Sequence, residues 1–368
     1  MSEIWRLLRA GQIESKDPLF LNRSDGIREA KRIQSLSMTT VGPKRRYRHI
    51  ALAYNAGTRR GSAPLKHLIC LLFLLATAFA QTTAEKQQLL WQKLESTIDD
   101  VDQNLDGVLG VAVLDLTTGQ KFLLHADEVF PQASSIKIAV LAEFYHQARS
   151  GKLKLTDLYT VQSSDLVPDS YIMAGLTPGV TRITLRDLAT MMVAVSDNSA
   201  TNVLIDRVSM ENVNALMDSL GLAHTRLRRK MMDLKAAGEG RENISTPREM
   251  MTLLEDLYRG KVLNKEMTDD FFKVLSTEKK DSFIPRDLPE GLKVANKHGE
   301  LEGVRNDSGV VFLQNRPYVI CVMTTYLRRE RDGEEAISKI SLTAYRIFDR
   351  LARASEFGRV ISPGNSSR

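Results

Sequence analysis

The sequence predicts an α+β protein: an α/β sandwich with one antiparallel sheet built from N- and C-terminal segments, flanked by helices, and an all-α subdomain inserted between them. Three observations lead there. Apolar runs of strand length lie towards both ends of the chain after residue 80. Residues 184–260 carry helical spacing instead. Amphipathic helices are expected at residues 82–100 and Glu334–Ala354, one before the first strand and one after the last.

Each element follows from its pattern. Leu89, Leu90, Leu94 and Ile98 recur at helical intervals. Val108–Leu116 and Gln120–His125 flank Thr117-Thr118-Gly119, which reads as a hairpin. Phe130-Pro131 leads into a helix expected over Ser134–Gln147. Thr184 is placed to cap a helix at Leu185–Val195, Ser199–Leu220 reads as another, and Thr246-Pro247 opens a third with Pro at its first position. Between them Arg226–Asn243 is charged, irregular and Gly-containing, a long surface loop of the kind that often carries function. Beyond Pro289, Leu292–Asn296 is expected as a strand, and Gly309–Gln314 with Tyr318–Tyr326 as a hairpin across Asn315-Arg316-Pro317. A cleft between the sheet part and the helical part is the natural site.

The chain has 368 residues, 43% of them hydrophobic, enough for one large domain or two intimate ones. The formal charge of +6 is unevenly placed. Residues 1–80 hold 14 Lys/Arg and 5 Asp/Glu, leaving 37 and 40 in the remainder, so the folded part offers no basic surface for nucleic acid. Residues 65–80 read LKHLICLLFLLATAFA: a basic flank, an apolar run and the small residues Ala78 and Ala80. This pattern predicts a signal peptide cleaved near Ala80 and a secreted or periplasmic product. The alternative is an N-terminal membrane anchor, for which the run is short against the ~20 residues a span needs. Residues 1–64 are expected to be a disordered extension, or to lie upstream of a true start at Met38 or nearer Leu65. Residues 81–355 form the expected domain, with its helical subdomain at about 150–285, and 356–368 a C-terminal tail. The exported part keeps a single cysteine, Cys321, in an apolar run that marks it as core.

Three short motifs carry chemistry. Ser134-Ser135-Ile136-Lys137 puts an amine three residues from a hydroxyl, on one helix face. A serine needs a neighbouring base to become a nucleophile, and a lysine whose pKa is lowered can be that base. Alone the pattern is weak, since it arises by chance about once in a chain this long. Ser196-Asp197-Asn198 stands between two helices; the bland reading is a helix cap, and the functional one a proton relay through Ser196 with an amide contact from Asn198. Lys297-His298-Gly299, at a strand end, offers a cation for a substrate carboxylate and a glycine that lets a substrate backbone approach. The backbone N–H groups of Ser134 and Glu300 are the expected oxyanion donors.

Together and in this order, S-x-x-K, S-D-N and K-x-G resemble the signature of class A β-lactamases and penicillin-binding serine hydrolases. Phe130-Pro131, the run Ser196–Asn202, Gly303-Val304-Arg305-Asn306-Asp307 and motif separations of 62 and 101 residues are also similar to that family, over roughly residues 85–355. The resemblance implies a class A β-lactamase-like fold. It implies acyl-transfer chemistry on small-molecule β-lactams or peptidoglycan peptides, with no metal and no cofactor, in a protein expected to be a monomer. It assigns catalytic roles to Ser134, Lys137 and Ser196 and substrate contacts to Asn198, Lys297, His298, Gly299, Glu300 and Arg305.

Two departures bear on activity. Aligning Thr225-Arg226-Leu227 with the family's similar tripeptide puts Met231 where the family carries a loop glutamate that activates the deacylating water, and Lys235 where it carries an asparagine. Methionine cannot act as a base, so Asp233 is the candidate substitute; Glu239 and Glu242 fall at the wrong offsets. His298 replaces the usual Thr or Ser, as a bulkier donor for a carboxylate. Three outcomes stay open: a hydrolase with slow turnover, a D-alanyl-D-alanine carboxypeptidase or amidase, and a penicillin-binding sensor that stays acylated.

Overall fold

Strand side chains alternate between two faces, and here both faces are covered. In the computed structural model, which describes residues 85–279, 282–355 and 357–360, the strand β1 (Val108–Asp115) sends Leu109, Val111 and Val113 into one core and Ala112 and Leu114 into the other. This explains why the run reads as continuously apolar. The first core lies under α1 (residues 85–104) and the C-terminal helix α9 (Glu330–Arg353). There Phe348 meets Trp91 edge to face at 5.5 Å and stacks on Tyr318 at 4.3 Å. The second core lies under the helical part.

The sheet has five strands in the order β2-β1-β9-β8-β7, where β2 is Lys121–Leu124, β7 Val294–Leu301, β8 Val304–Val311 and β9 Tyr318–Thr325. All neighbours are antiparallel, and β1 pairs β9 from Val108↔Thr325 to Asp115↔Tyr318. The first and last strands of the described residues, β1 and β9, therefore pair inside the sheet, as expected, and β7 is left at an edge. After β3 (Phe130–Pro131) come a 3₁₀ turn at Ala133–Ile136 and α2 (Lys137–Arg149). The two-stranded β4 (Leu158–Thr160) and β5 (Arg182–Thr184) precede α3 (Leu185–Ala194), α4 (Asn198–Val208), α5 (Met210–Ser219) and α6 (Leu234–Gly238). Then follow β6 (Ile244–Ser245), α7 (Pro247–Tyr258) and α8 (Lys265–Leu275). Thr184 and Thr246 cap α3 and α7 as predicted, accepting from Asp187 N and Glu249 N, each at 3.1 Å.

Four expectations are corrected. Ser134 lies on the 3₁₀ turn rather than in the α-helix, because Ala133 adopts φ 49° and winds the chain tightly before α2. The helix expected over Ser199–Leu220 is two helices broken at Ser209, whose φ of 67° ends α4 while its hydroxyl accepts Asn212 N at 3.2 Å to start α5. Strand β7 runs to Leu301, so Lys297-His298-Gly299 sits within it instead of at its end. The hairpin partner β8 begins at Val304; Arg305-Asn306-Asp307-Ser308 looks polar in sequence, but sheet pairing and buried polar partners hold it extended. The signal-peptide segment 65–80, residues 1–64 and the end of the tail lie outside the described residues. Among the described residues no helix is long and apolar enough to cross a membrane.

Candidate active site

The 3₁₀ turn brings half-buried Ser134 to the start of α2, and Lys137 follows within one turn. Lys137 is fully buried. Its Nζ donates to Ser196 O at 2.7 Å, Ser196 Oγ at 2.9 Å and Asn198 Oδ1 at 2.9 Å. All three ammonium hydrogens thus have acceptors, but none is a carboxylate. Burial holds the Lys137 amine well below the usual lysine value, the positive Lys297 pushes the same way, and Asp197 opposes both. A buried lysine amine with its pKa lowered is the kind of group the first motif needs as a base.

The second motif divides its labour. Asp197 is the cap: Oδ1 accepts Ala200 N at 3.0 Å, while Oδ2 accepts Ile172 N and Met173 N at 2.9 Å each, tying a distant turn to the start of α4. Ser196 has φ 57°, a turn that places its carbonyl and hydroxyl on the same amine. The cap of the bland reading falls on Asp197, while Ser196 and Asn198 both meet the Lys137 amine.

The third motif forms the opposite wall. Lys297 is fully buried, and its Nζ donates to His298 O at 2.7 Å. Burial, then Lys279, lower its pKa to about 7 against the opposing pull of Asp307 and Glu300. Gly299 is required by contact: a Cβ there would lie 2.5 Å from Gln132 O and 2.8 Å from Ser135 N. Ser135 Oγ donates to Lys297 O at 3.1 Å, so the edge strand is fastened to the turn that carries the nucleophile. His298 is kept neutral, its pKa pushed down to about 2 by burial and then by Lys297, Lys279, Lys137 and Arg305. Its Nε2 lies 3.4 Å from Glu300 Oε1, and its buried Nδ1 meets no partner among the described residues. Arg305 donates from Nε to Glu334 Oε1 at 3.0 Å and from Nη1 to the carbonyls of Leu301 and Val304.

The loop wall differs. Met231 is 7% exposed and packs in the core under the helical part. Its backbone is clamped on both sides by Asn202: Met231 N donates to Oδ1 at 2.8 Å and Nδ2 donates to Met231 O at 3.0 Å. Asn202 stands one helical turn beyond Asn198 on α4, so the helix that meets the Lys137 amine also holds the Met231 backbone. Asp233 is exposed and caps α6, accepting Ala236 N at 2.9 Å. Glu242 pairs with Arg229 at 2.9 Å and Glu239 with Arg241 at 2.6 Å. Asn243 closes the loop, accepting Arg228 N and donating to Arg229 O, while its carbonyl accepts Gln132 N at 2.7 Å.

Sequence reasoning missed several supports. Asn202 lay inside the motif run without a role. Asp307, buried on β8 beside His298, accepts Asn296 Nδ2 at 2.8 Å and the N–H groups of Phe283 and Ile284, and burial raises its pKa. Lys279, its pKa lowered to about 8 by burial, donates to Leu275 O and Thr277 O at the end of α8. Among the described residues no group of three His, Cys, Asp or Glu is placed to hold a metal ion.

An antiparallel sheet braced by terminal helices, an inserted helical part and a serine–lysine pair between them define a serine acyl-transfer enzyme. A profile of the β-lactamase enzyme family matches residues 93–348, so the chain belongs to that family. It is 29% identical to β-lactamase SME-1 of Serratia marcescens over 269 residues, 68% of this chain and 88% of that protein. The crystal structure of a β-lactamase from Sphaerobacter thermophilus superposes with a TM-score of 0.65 at 29% identity, covering 70% of this chain and 98% of that one. A mutant of PBP-A, captured as an acyl-enzyme complex with penicillin G, superposes at 0.64 and 25% identity, over 70% and 96%.

Proposed function

We propose that this protein opens β-lactams by acylating Ser134 and hydrolyses the resulting ester slowly. The observation that carries the reading is the Lys137 amine, fully buried and held only by neutral oxygens. Neutral Lys137 takes the proton from Ser134 Oγ as that oxygen attacks the lactam carbonyl. Ser196, bonded to the same amine, relays a proton to the leaving nitrogen. The Ser134 and Glu300 N–H groups receive the oxyanion, Lys297 holds the substrate carboxylate, and Asn198 contacts its amide.

Release of the acyl group is the weak step. Methionine offers no base, and Asp233, Glu239 and Glu242 are each bound elsewhere. This favours a second reading, a penicillin-binding protein that remains acylated. Export after cleavage near Ala80 belongs to the same proposal, resting on the apolar segment of residues 65–80.

The test is to incubate the purified protein with a chromogenic cephalosporin and follow both colour and intact mass. Repeated colour release supports slow hydrolysis, and one lasting adduct per chain supports the second reading. Absence of any adduct, with hydrolysis of D-alanyl-D-alanine peptides instead, would overturn both.

A further inference from the structure

The acylation reading makes the Glu300 N–H a donor to the oxyanion, yet the same residue carries a carboxylate, which repels a developing negative charge. The Glu300 side chain is 43% exposed and bracketed by two groups: Oε1 lies 3.4 Å from His298 Nε2 and Oε2 lies 4.0 Å from Arg305 Nε. Glu300 and Arg305 are direct cross-strand partners in the β7–β8 register. Arg305 is fixed from behind. Its Nε donates to Glu334 Oε1 at 3.0 Å and Nη1 to Leu301 O at 2.9 Å and Val304 O at 2.8 Å, so three of its five N–H groups are engaged within the protein. Gly333 lets α9 come this close, since a Cβ there would lie 3.1 Å from Arg305 Cβ. The first expectation for Arg305 was a direct anchor for a ligand carboxylate. These contacts describe a different task.

We propose that Arg305 is a positioning residue for acylation that acts through Glu300: with its Nε fixed by Glu334, its guanidinium stands 4.0 Å from the Glu300 carboxylate and offsets that charge so that the Glu300 N–H can serve the oxyanion. His298 covers the other carboxylate oxygen with a neutral ring. The inference rests on acylation of Ser134, and the experiment separates the two. The rate of adduct formation on the full chain is measured with a chromogenic cephalosporin bearing its free carboxylate, and with the methyl ester of the same compound. Arg305→Gln is expected to slow both ligands about tenfold, and Glu300→Gln in the same chain to restore the rate to within about threefold. Arg305→Lys keeps the charge but not the fork of N–H groups, so it is expected to fall between wild type and Arg305→Gln; it serves as the test if the Gln variant does not fold, and a Lys-variant loss that Glu300→Gln does not restore would overturn the proposal. An Arg305→Gln loss confined to the free acid would assign Arg305 to the ligand carboxylate and overturn the proposal. A loss that Glu300→Gln does not rescue would also overturn it. A wild-type protein that reacts with neither ligand would remove the acylation reading itself, and this inference with it.

Discussion

The two walls around Ser134 are built on opposite principles. The acylation wall gathers three oxygens of Ser196 and Asn198 onto one buried amine and fastens strand β7 to the nucleophile's turn through Ser135 and Gly299. The loop wall gathers apolar packing: Met231 is buried, Asn202 is occupied by its backbone, and the nearby carboxylates cap or pair elsewhere. On the function proposed above, the first arrangement prepares a proton acceptor before substrate arrives and the second prepares none for water. On that reading, formation and release of the acyl bond are separable tasks, which the following experiments test.

The comparison breaks most completely at the nucleophile: Ser134→Ala should abolish the adduct, and a mass gain surviving that change would place the chemistry elsewhere. Lys137→Met should slow acylation by about 10²–10⁴-fold, the range for a lost general base, measured as adduct formation per unit time. An unchanged rate would show that another group deprotonates Ser134. Supplying the missing base sharpens the contrast. Met231→Glu should speed release of the acyl group at least about tenfold while leaving its formation nearly unchanged; equal release rates would mean that the loop is not the limiting wall.

A pH series tests Lys297. Its pKa of about 7 means that it loses charge as pH rises through neutrality, so KM for a carboxylate-bearing ligand should rise between about pH 7 and 9. Lys297→Arg, which stays charged, should remove that rise; a rise that persists in the Arg variant would refute the assignment. The same shift affects stability with a definite sign. The unfolded lysine keeps its proton up to about pH 10, so the unfolded state binds more protons than the folded state above pH 7, and this group's contribution to stability grows with pH there. The smallest effect is steric: Gly299→Ala should cost about 1–3 kcal/mol in denaturant unfolding, because Gln132 O and Ser135 N stand where the methyl group would go.

Much was legible in the linear chain because local chemistry enforces it. The continuously apolar, strand-length runs of β1 and β9, the caps at Thr184 and Thr246 and the three motifs all follow from spacing and residue type. The sequence alone determined that a serine, a lysine and a second lysine would share a site, and that Met231 offers no base. Tertiary structure decided the rest. The turn at Ala133 set Ser134 on a 3₁₀ segment, and Ser209 broke a helix that its side-chain pattern would have carried through. Burial first, and then lysines that the fold brings close, lower the Lys137 and Lys297 pKa values, and both depend on what is packed around an amine and not on its neighbours in sequence. The same holds for β8, whose polar residues become strand only because Thr324, Asn296 and the backbone around Ile284 are there to receive them. Spacing can bring groups together, but the dielectric and the partners they meet belong to the fold.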